Sequence, residues 1–268
     1  MSLWHTFSMC DKLINKTNNM KVFLNTIILF FLTLLICKNT YSQGFNYLPA
    51  PVEAHQIITY SQFTLSYNEE HEQAEWVAYK LTKQEVAMKQ DRCNCFKSDK
   101  KVNNKSASKS DYSSSGFDLG HLSPASDNNM SMLANKQSFL MSNISPQLPS
   151  FNRGIWKTLE KWTSQQAISD SVIYIVTGPV FVNNLGTLGK NNVTIPGYFY
   201  KIVLKQKDSK TLSIAFLIPQ IGSIGEIQDY IVTVNTIETI TGIDFFPQLK
   251  NSKENKIESQ YQPKKWGF

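Results

Sequence analysis

The order of strand-like and helix-like segments constrains this chain more than any other feature of its sequence. An apolar stripe through Trp156 and Leu159 predicts a helix over 151–167, and most other apolar runs are β-branched and aromatic, as in strands. Two strands, a loop, a strand, this helix, three strands and a second helix favour an α+β domain with mainly antiparallel pairing. The predicted strands are 57–67, 75–81, 137–144, 171–181, 198–204 and 211–218, and the second helix is 227–240.

Length and composition agree with a folded protein of this kind. The chain has 268 residues, of which 41% are hydrophobic, so it can bury a core and is not disordered throughout. No linker rich in Pro, Gly or Ser divides the predicted elements from one another. We therefore expect a single domain.

The N-terminal region has the layout of a secretory signal peptide. Lys21 precedes a short apolar run, Ile27–Ile36, and the small residues Thr40 and Ser42 stand where cleavage before Gln43 requires them. The run is shorter than the roughly twenty residues that span a bilayer, so we expect export to the periplasm or medium without stable membrane insertion; an N-terminal anchor is the alternative. The predicted organisation is a signal peptide 1–42 (starting at Met1 or Met20), a lead-in 43–55, a domain 56–250 and a C-terminal tail 251–268.

Positive charge concentrates in one loop once this leader is removed. The net charge of the whole chain is +6, and the predicted cleavage removes four lysines and one aspartate, which leaves +3. The stretch 92–109 is basic and rich in Ser and Asn, so it is either a solvated loop or a rim that attracts phosphate. Cys93 and Cys95 remain in this stretch, as a tight bridge, an intermolecular pair or two free thiols.

The motifs of the chain narrow its chemistry to one histidine and the segment that follows. The sequence contains no HExxH, paired CxxC, P-loop or GxGxxG motif, so zinc-protease, zinc-ribbon, Walker and dinucleotide sites lack support. His121 follows Gly120 and precedes a segment with Asn152 and Glu160, whose oxygens are hard ligands suited to Mg²⁺. The alternative is a buried histidine beside a helix-capping asparagine.

Two sequence blocks surround these residues. Residues 118–125 read DLGHLSPA, and 142–147 read SNISPQ and are followed by Asn152, Trp156 and Glu160. The first block resembles the motif DRGHxxPA of the DNA/RNA non-specific endonucleases, the endonuclease G-like nucleases, and the second matches that family in order and spacing. The resemblance covers nearly the whole chain after the leader and implies a single-domain ββα-metal (His-Me finger) nuclease fold, a mainly antiparallel sheet flanked by helices. Further similar segments are 76–82 with Arg92 and Phe96, 176–181 and 195–201.

The resemblance implies a metal-dependent endonuclease that hydrolyses DNA and/or RNA with little sequence specificity. It implies that His121 is the general base, that Asn152 binds the ion directly and that Glu160 binds it through water. Asn143 would support the site by hydrogen bonding, and Arg92 would clamp the phosphate. The implied ion is Mg²⁺, with Mn²⁺ as an alternative, and a homodimer is left open. The basic loop adds Lys97, Lys100 and Lys101 as substrate contacts, and Asp118 and Gly120 support the motif.

One position departs from the family motif. Leu119 stands where the motif has arginine. If that arginine only contacts substrate, activity persists with altered affinity; if it stabilises charge in the transition state, catalysis is weak or lost. Two hypotheses therefore stand beside the active nuclease: a nucleic-acid-binding protein on a catalytically weakened nuclease fold, and a phosphodiesterase for another exported substrate.

Overall fold

An antiparallel sheet of seven strands organises this computed structural model, which describes residues 47–207 and 210–268. Two short two-stranded sheets accompany it. The strands of the described residues are β1 (Gln56–Thr59), β2 (Phe63–Asn68), β3 (Gln73–Thr82), β4 (Asp118–His121), β5 (Ile144–Gln147), β6 (Val172–Val180), β7 (Thr187–Leu188), β8 (Val193–Thr194), β9 (Tyr198–Lys207), β10 (Lys210–Pro219) and β11 (Ile231–Val232).

The large sheet has the strand order β1-β2-β3-β6-β9-β10-β11, and every neighbouring pair in it is antiparallel. Its centre is apolar on both faces, because β6, β9 and β10 are long runs of β-branched and aromatic residues that are buried almost throughout. The small sheets pair β4 with β5 and β7 with β8, also antiparallel. The predicted α+β class with mainly antiparallel pairing is confirmed.

Helices pack against this sheet and connect its strands. The helices of the described residues are α1 (Lys83–Ala87), α2 (Met132–Ser138), α3 (Pro149–Phe151), α4 (Lys157–Asp170), α5 (Val234–Thr241) and α6 (Asn251–Glu258). A π-helical turn, Asn152–Trp156, joins α3 to α4. Short 3₁₀ turns lie at Lys109–Tyr112, Ala125–Asn128, Met141–Asn143, Ile227–Tyr230 and Pro263–Trp266.

Aromatic packing holds the beginning of α4 against β9. Trp156 and Leu159 are fully buried, and the ring centroid of Phe151 lies 5.4 Å from that of Trp156 and 5.2 Å from that of Phe199 in β9. Replacing a fully buried aromatic side chain by alanine costs ~3–5 kcal/mol. This contact therefore determines where the first turn of α4, and with it Glu160, stands on the sheet.

Most of the long elements match the sequence prediction. The confirmed elements are the strands 75–81, 171–181, 198–204 and 211–218 and the helix 151–167. The predicted strand 57–67 is two strands, because the polar pair Ser61 and Gln62 forms a turn. The turn is closed by the Tyr60 N–H, which donates to the Phe63 carbonyl at 2.8 Å.

Two other predicted elements differ in type. The strand predicted at 137–144 is instead the end of α2, a 3₁₀ turn and the first residue of β5. The Ser131 hydroxyl accepts the Ala134 N–H at 3.1 Å and starts α2, an N-cap that outweighs the apolar run behind it. The helix predicted at 227–240 starts late, since a 3₁₀ turn and β11 come first and Thr233 caps α5.

Residues Tyr47–Phe268 form one compact unit. The predicted signal peptide, 1–42, and the first part of the lead-in lie outside the described residues. Within the part of the chain that the structure describes, no helix is long and apolar enough to cross a membrane. The segment predicted as a tail, 251–268, carries α6 and the buried Trp266, so it packs on the domain.

Candidate active site

The β4–β5 hairpin places His121 at the end of β4, opposite Ile144. The side chain is only 8% exposed, and its ring meets the edge of Phe139 at a centroid distance of 4.8 Å and tilts against Phe96 at 5.5 Å. Rotation of the imidazole would break both aromatic contacts. The sequence therefore builds a histidine that is held in one orientation.

Two neighbours fix the backbone on either side of this histidine. Gly120 has no side chain, and a Cβ there would collide with the side chain of Gln147 on β5. The buried Asn143 side chain closes the following loop: its Oδ1 accepts the Ser123 N–H at 2.9 Å, and its Nδ2 donates to the carbonyls of Ser123 at 2.9 Å and Ser138 at 2.8 Å. Asn143 thus hydrogen-bonds to the loop that leaves His121.

Burial keeps the imidazole of His121 neutral. Desolvation, followed by the positive charge of Arg92, lowers the pKa of His121 from its ordinary value to about 3. Nε2 is buried and has no hydrogen-bond partner among the described residues. Nδ1 also makes no hydrogen bond with the described residues. A neutral imidazole nitrogen that makes no hydrogen bond can accept a proton.

Asn152 lies on the π-helical turn before α4 and ends α3, so it is not the helix N-cap of the alternative reading. Its Nδ2 donates to Asp118 Oδ2 at 2.9 Å, and the Arg153 guanidinium binds the same carboxylate through Nε at 2.8 Å and Nη2 at 2.6 Å. Burial raises the pKa of Asp118, but the hydrogen bonds from Arg153 and Asn152 outweigh it and the pKa lies below its usual range. Because the amide nitrogen is engaged, Asn152 Oδ1 remains available as a hard oxygen ligand.

Glu160 lies on the first turn of α4, where a buried lysine and a buried aspartate surround it. Lys201 of β9 is fully buried, and its Nζ has no hydrogen-bond partner among the described residues and lies 4.8 Å from the Trp156 ring centroid. Burial raises the pKa of Glu160; Lys201 opposes this rise and Asp127 adds to it. Burial also raises the pKa of Asp127 to about 6, against Lys201 and a 3.0 Å hydrogen bond from Tyr79.

Sequence reasoning missed Lys201 and Asp127 as members of this site. A signal for Lys201 was present, because it interrupts the apolar run of β9. A strand that is buried on both faces offers a charged side chain no route to solvent, so a lysine in its middle must meet buried acids. Asp127 lies in a 3₁₀ turn and carries no comparable pattern.

Arg92 reaches the same neighbourhood from the basic loop. Its Cζ lies 5.0 Å from the centroid of the Phe139 ring, and its charge lowers the pKa values of both His121 and Glu160. Cys93 and Cys95 form a disulfide, and the Cys93 N–H donates to Asn135 Oδ1 at 3.1 Å. Of the three states left open by the sequence, the two cysteines adopt the tight bridge. This bridge constrains the segment that carries Arg92.

The three predicted substrate lysines are exposed and stand apart from this group. Lys97 bonds through its backbone to Phe139 and Met141, while Lys101 Nζ donates to the Thr59 carbonyl at 2.9 Å, beside the Tyr60 ring. No contact within the described ranges joins these lysines to the histidine or to the π-helical turn. The structure thus brings together His121, Asn143, Asn152, Glu160, Arg92, Asp118 and Gly120, and leaves Lys97, Lys100 and Lys101 on the surface nearby in sequence.

Leu119 is partly buried in an apolar environment. Together with Phe96 and Phe117 it packs against a buried cluster that includes Ile144, so its side chain adds no charge to the site. Arg153 is the exposed guanidinium next to Asn152, with 71% of its side chain accessible. The side chain at position 119 therefore contributes packing, and the positive charge beside the Asn152 amide comes from Arg153 on the π-helical turn.

The chain is similar in sequence to known proteins. A sequence model of the family described as DNA/RNA non-specific endonuclease matches residues 42–252. The mitochondrial nuclease EXOG of Danio rerio is 32% identical over 211 residues, 72% of this chain but only 62% of that protein, so the chain spans less than two thirds of that relative. Nuclease C1 of Cunninghamella echinulata var. echinulata is 32% identical over 217 residues, 74% of this chain and 86% of that protein.

A solved structure shows the same fold. A chain in the crystal structure of the EndoG/EndoGI complex superposes with a TM-score of 0.68 at 27% sequence identity, covering 74% of this chain and 88% of that one. The family match spans the β4–β5 hairpin, the π-helical turn and α4, which carry the site. The chain belongs to the DNA/RNA non-specific endonuclease family and has its ββα-metal fold.

Proposed function

We propose that this protein is an exported endonuclease that hydrolyses phosphodiester bonds of DNA and/or RNA with little sequence specificity and needs one Mg²⁺ or Mn²⁺ ion. The observation that carries the proposal is the neutral His121, held in one orientation by Phe96 and Phe139, beside Asn152, Glu160 and Arg92. A base, two hard-oxygen ligands and a guanidinium are the groups that phosphodiester hydrolysis needs.

The oxygen donors fit a small divalent cation. Asp118 holds the amide nitrogen of Asn152, which leaves Oδ1 for the ion, and the Glu160 carboxylate accepts no side-chain hydrogen bond from the described residues. An amide oxygen and one carboxylate suit Mg²⁺, which binds few protein ligands and keeps several waters. An ion held there supplies Lewis-acid polarisation of the phosphate and stabilises the leaving 3′ oxygen.

The chain's own residues divide the remaining work. His121 Nδ1 accepts a proton from the attacking water, and its low pKa keeps it in the basic form at neutral pH. Arg92 binds the phosphate and stabilises the negative charge that grows on it. These groups address the backbone of a nucleic acid and not the bases, which accounts for little sequence preference.

Export is supported by sequence and by cysteine chemistry. The leader pattern of 1–42 directs secretion, and the Cys93–Cys95 disulfide is stable in an oxidising compartment. Fractionation of expressing cells, followed by N-terminal sequencing, tests this part of the proposal. Protein that stays in the cytoplasm and keeps Met1 or Met20 would refute it.

Leu119 favours a second candidate, a nucleic-acid-binding protein with weakened catalysis. Its side chain is apolar and packed, so the motif charge at this position is missing. This candidate predicts salt-sensitive DNA binding with little turnover, and a gain of cleavage in Leu119→Arg. Under the nuclease proposal the parent protein already turns over.

The test is digestion of plasmid DNA and of single-stranded RNA by the purified protein, with Mg²⁺ and with EDTA. We expect cleavage that EDTA abolishes, and a loss of ~10²–10⁴-fold in His121→Ala, the contribution of a general base. A His71→Ala variant is the matched control, because His71 stacks on Phe181, outside the site. Absence of cleavage with any divalent ion, or full activity of His121→Ala, would refute the nuclease mechanism.

A further inference from the structure

A second group of acidic side chains lies among α5, the loop that follows it and α6. Carboxylate oxygens of Glu238, Asp244 and Glu258 all lie within 4.8 Å of one another. They line a cavity of about 340 Å³ together with Glu254, Gly242 and Ile243, and no basic residue lines it. Three segments that are separate in sequence thus direct negative charge into one space.

The local structure explains how these segments meet. Gly242 ends α5 in the left-handed conformation (φ 72°), which turns the chain so that Asp244 returns towards the helix. Glu238 Oε1 accepts the Phe245 N–H at 3.0 Å and holds this loop against α5. From the other side, the Ser213 hydroxyl donates to the Ile257 carbonyl at 2.5 Å and seats α6 on the sheet.

Within the described residues, the Glu258 carboxylate of this cluster has neither a basic neighbour in the cavity nor a hydrogen-bond donor at Oε1. Glu258 is only 6% exposed. A buried carboxylate that lacks donors must bind either a proton or a cation. The lysines of the same helix do not serve, because Lys253 and Lys256 line a different cavity with Gln260. Burial, then Glu238, Glu254 and Asp244, raise the pKa of Glu258 to about 7.

We propose that Glu238, Asp244 and Glu258 bind one Ca²⁺ ion that clamps α6 to α5. Three carboxylates favour Ca²⁺, which takes six to eight oxygen ligands in flexible geometry at about 2.3–2.6 Å. Their oxygens, all within 4.8 Å of one another, are close enough to share one such ion. Mg²⁺ demands near-ideal octahedral geometry and usually binds through one or two carboxylates. This site is separate from Asn152 and Glu160, and the proposal does not depend on the nuclease function.

Calorimetry of the metal-stripped protein with CaCl₂ tests the proposal. The Asn152→Ala variant is the background, so that the candidate active site does not contribute a signal. We expect one Ca²⁺ per chain in Asn152→Ala and at least a tenfold loss of affinity when Glu258→Gln or Asp244→Asn is added. Glu70→Gln is the control, because Glu70 is an exposed acid in the turn between β2 and β3.

Thermal unfolding supplies a second readout that separates lost binding from lost folding. Ca²⁺ at about one hundred times its Kd should raise the Tm of Asn152→Ala by ~5–10 °C, while Mg²⁺ should raise it less. Glu258→Gln should unfold at a similar or higher Tm without Ca²⁺ and should not respond to it. No Ca²⁺ binding in Asn152→Ala, equal shifts with Mg²⁺, or an unchanged response in Glu258→Gln would overturn the proposal.

Discussion

The candidate active site and the acidic cluster of Glu238, Asp244 and Glu258 both crowd carboxylates, but their surroundings differ. The positive charge of the buried Lys201 opposes the rise in the pKa of both Glu160 and Asp127. Arg92 also opposes the rise in the pKa of Glu160. In the acidic cluster, every charged neighbour that shifts the pKa of Glu258 is another acid. Burial raises the carboxylate pKa in both regions, but only at the candidate active site do cations of the chain oppose that rise.

The difference shows what each region requires. At the candidate active site, cations of the chain already offset part of the negative charge, so the one divalent ion that we propose would complete the balance. In the acidic cluster nothing within the described residues offsets it, and a proton or an added cation must do so. The first arrangement suits chemistry on a charged substrate, and the second suits a structural ion.

Among substitutions outside the proposed base and ion ligands, the largest effect on activity is expected from Asp118→Asn. This substitution removes the charged acceptor that orients the Asn152 amide and binds Arg153. We expect a ~10–100-fold weaker apparent Mg²⁺ affinity, measured from cleavage rates over a range of Mg²⁺ concentrations. Asp91→Asn, at an exposed acid that directly precedes the basic loop, is the control and should match the parent. An unchanged Mg²⁺ dependence in Asp118→Asn would show that Asp118 does not position the ligand.

A smaller change is expected from Lys201→Met. Lys201 holds down the pKa values of Glu160 and Asp127, so its removal shifts their ionisation to higher pH. Because the proposed activity needs the Glu160 carboxylate in its charged form, the rate at pH 7 should fall by ~10-fold, equivalent to one pKa unit, and recover as the pH rises. The pH–rate profile measures this shift, with Lys207→Met, at the exposed end of β9, as control. Superimposable profiles would contradict the role of Lys201.

The smallest effect is expected from Glu258→Gln, and it concerns stability alone. The folded-state pKa of Glu258 lies near 7, above the unfolded value of about 4.3, so its charge costs stability above that value and fully so above pH 7. Without Ca²⁺ at pH 7, Glu258→Gln should raise Tm by ~2–4 °C, as about 1 kcal/mol does in a domain of this size. The gain should vanish near pH 4, and cleavage should stay at the parent rate. A lower Tm at pH 7 would contradict the account.

Local patterns allowed the sequence to predict the core of the candidate site. His121, Asn152 and Glu160 stand in two short blocks. The π-helical turn and α4 present the last two from one continuous helical stretch, so their spacing relates them. The antiparallel class followed from the β-branched runs of β3, β6, β9 and β10. The prediction of a strand at 137–144 was wrong because the Ser131 side chain caps a helix that begins ahead of it.

Long-range packing supplied what the sequence could not. Lys201 reaches Glu160 only because β9 lies beneath α4, and their positions along the chain carry no common pattern. The acidic cluster depends on the Gly242 turn and on the docking of α6, a segment that reads as a polar tail. Electrostatic groups assembled by tertiary contacts thus stay hidden from periodicity and motif reasoning.

The most direct test of the account is the initial rate of plasmid cleavage as a function of Mg²⁺ concentration in the parent, Asn152→Ala and Glu258→Gln. We expect Asn152→Ala to lose at least ~100-fold in rate at every Mg²⁺ concentration, because it removes the direct ligand. Glu258→Gln should follow the parent curve. A parent-like curve for Asn152→Ala, or a loss in Glu258→Gln of the same size, would contradict the placement of the catalytic ion.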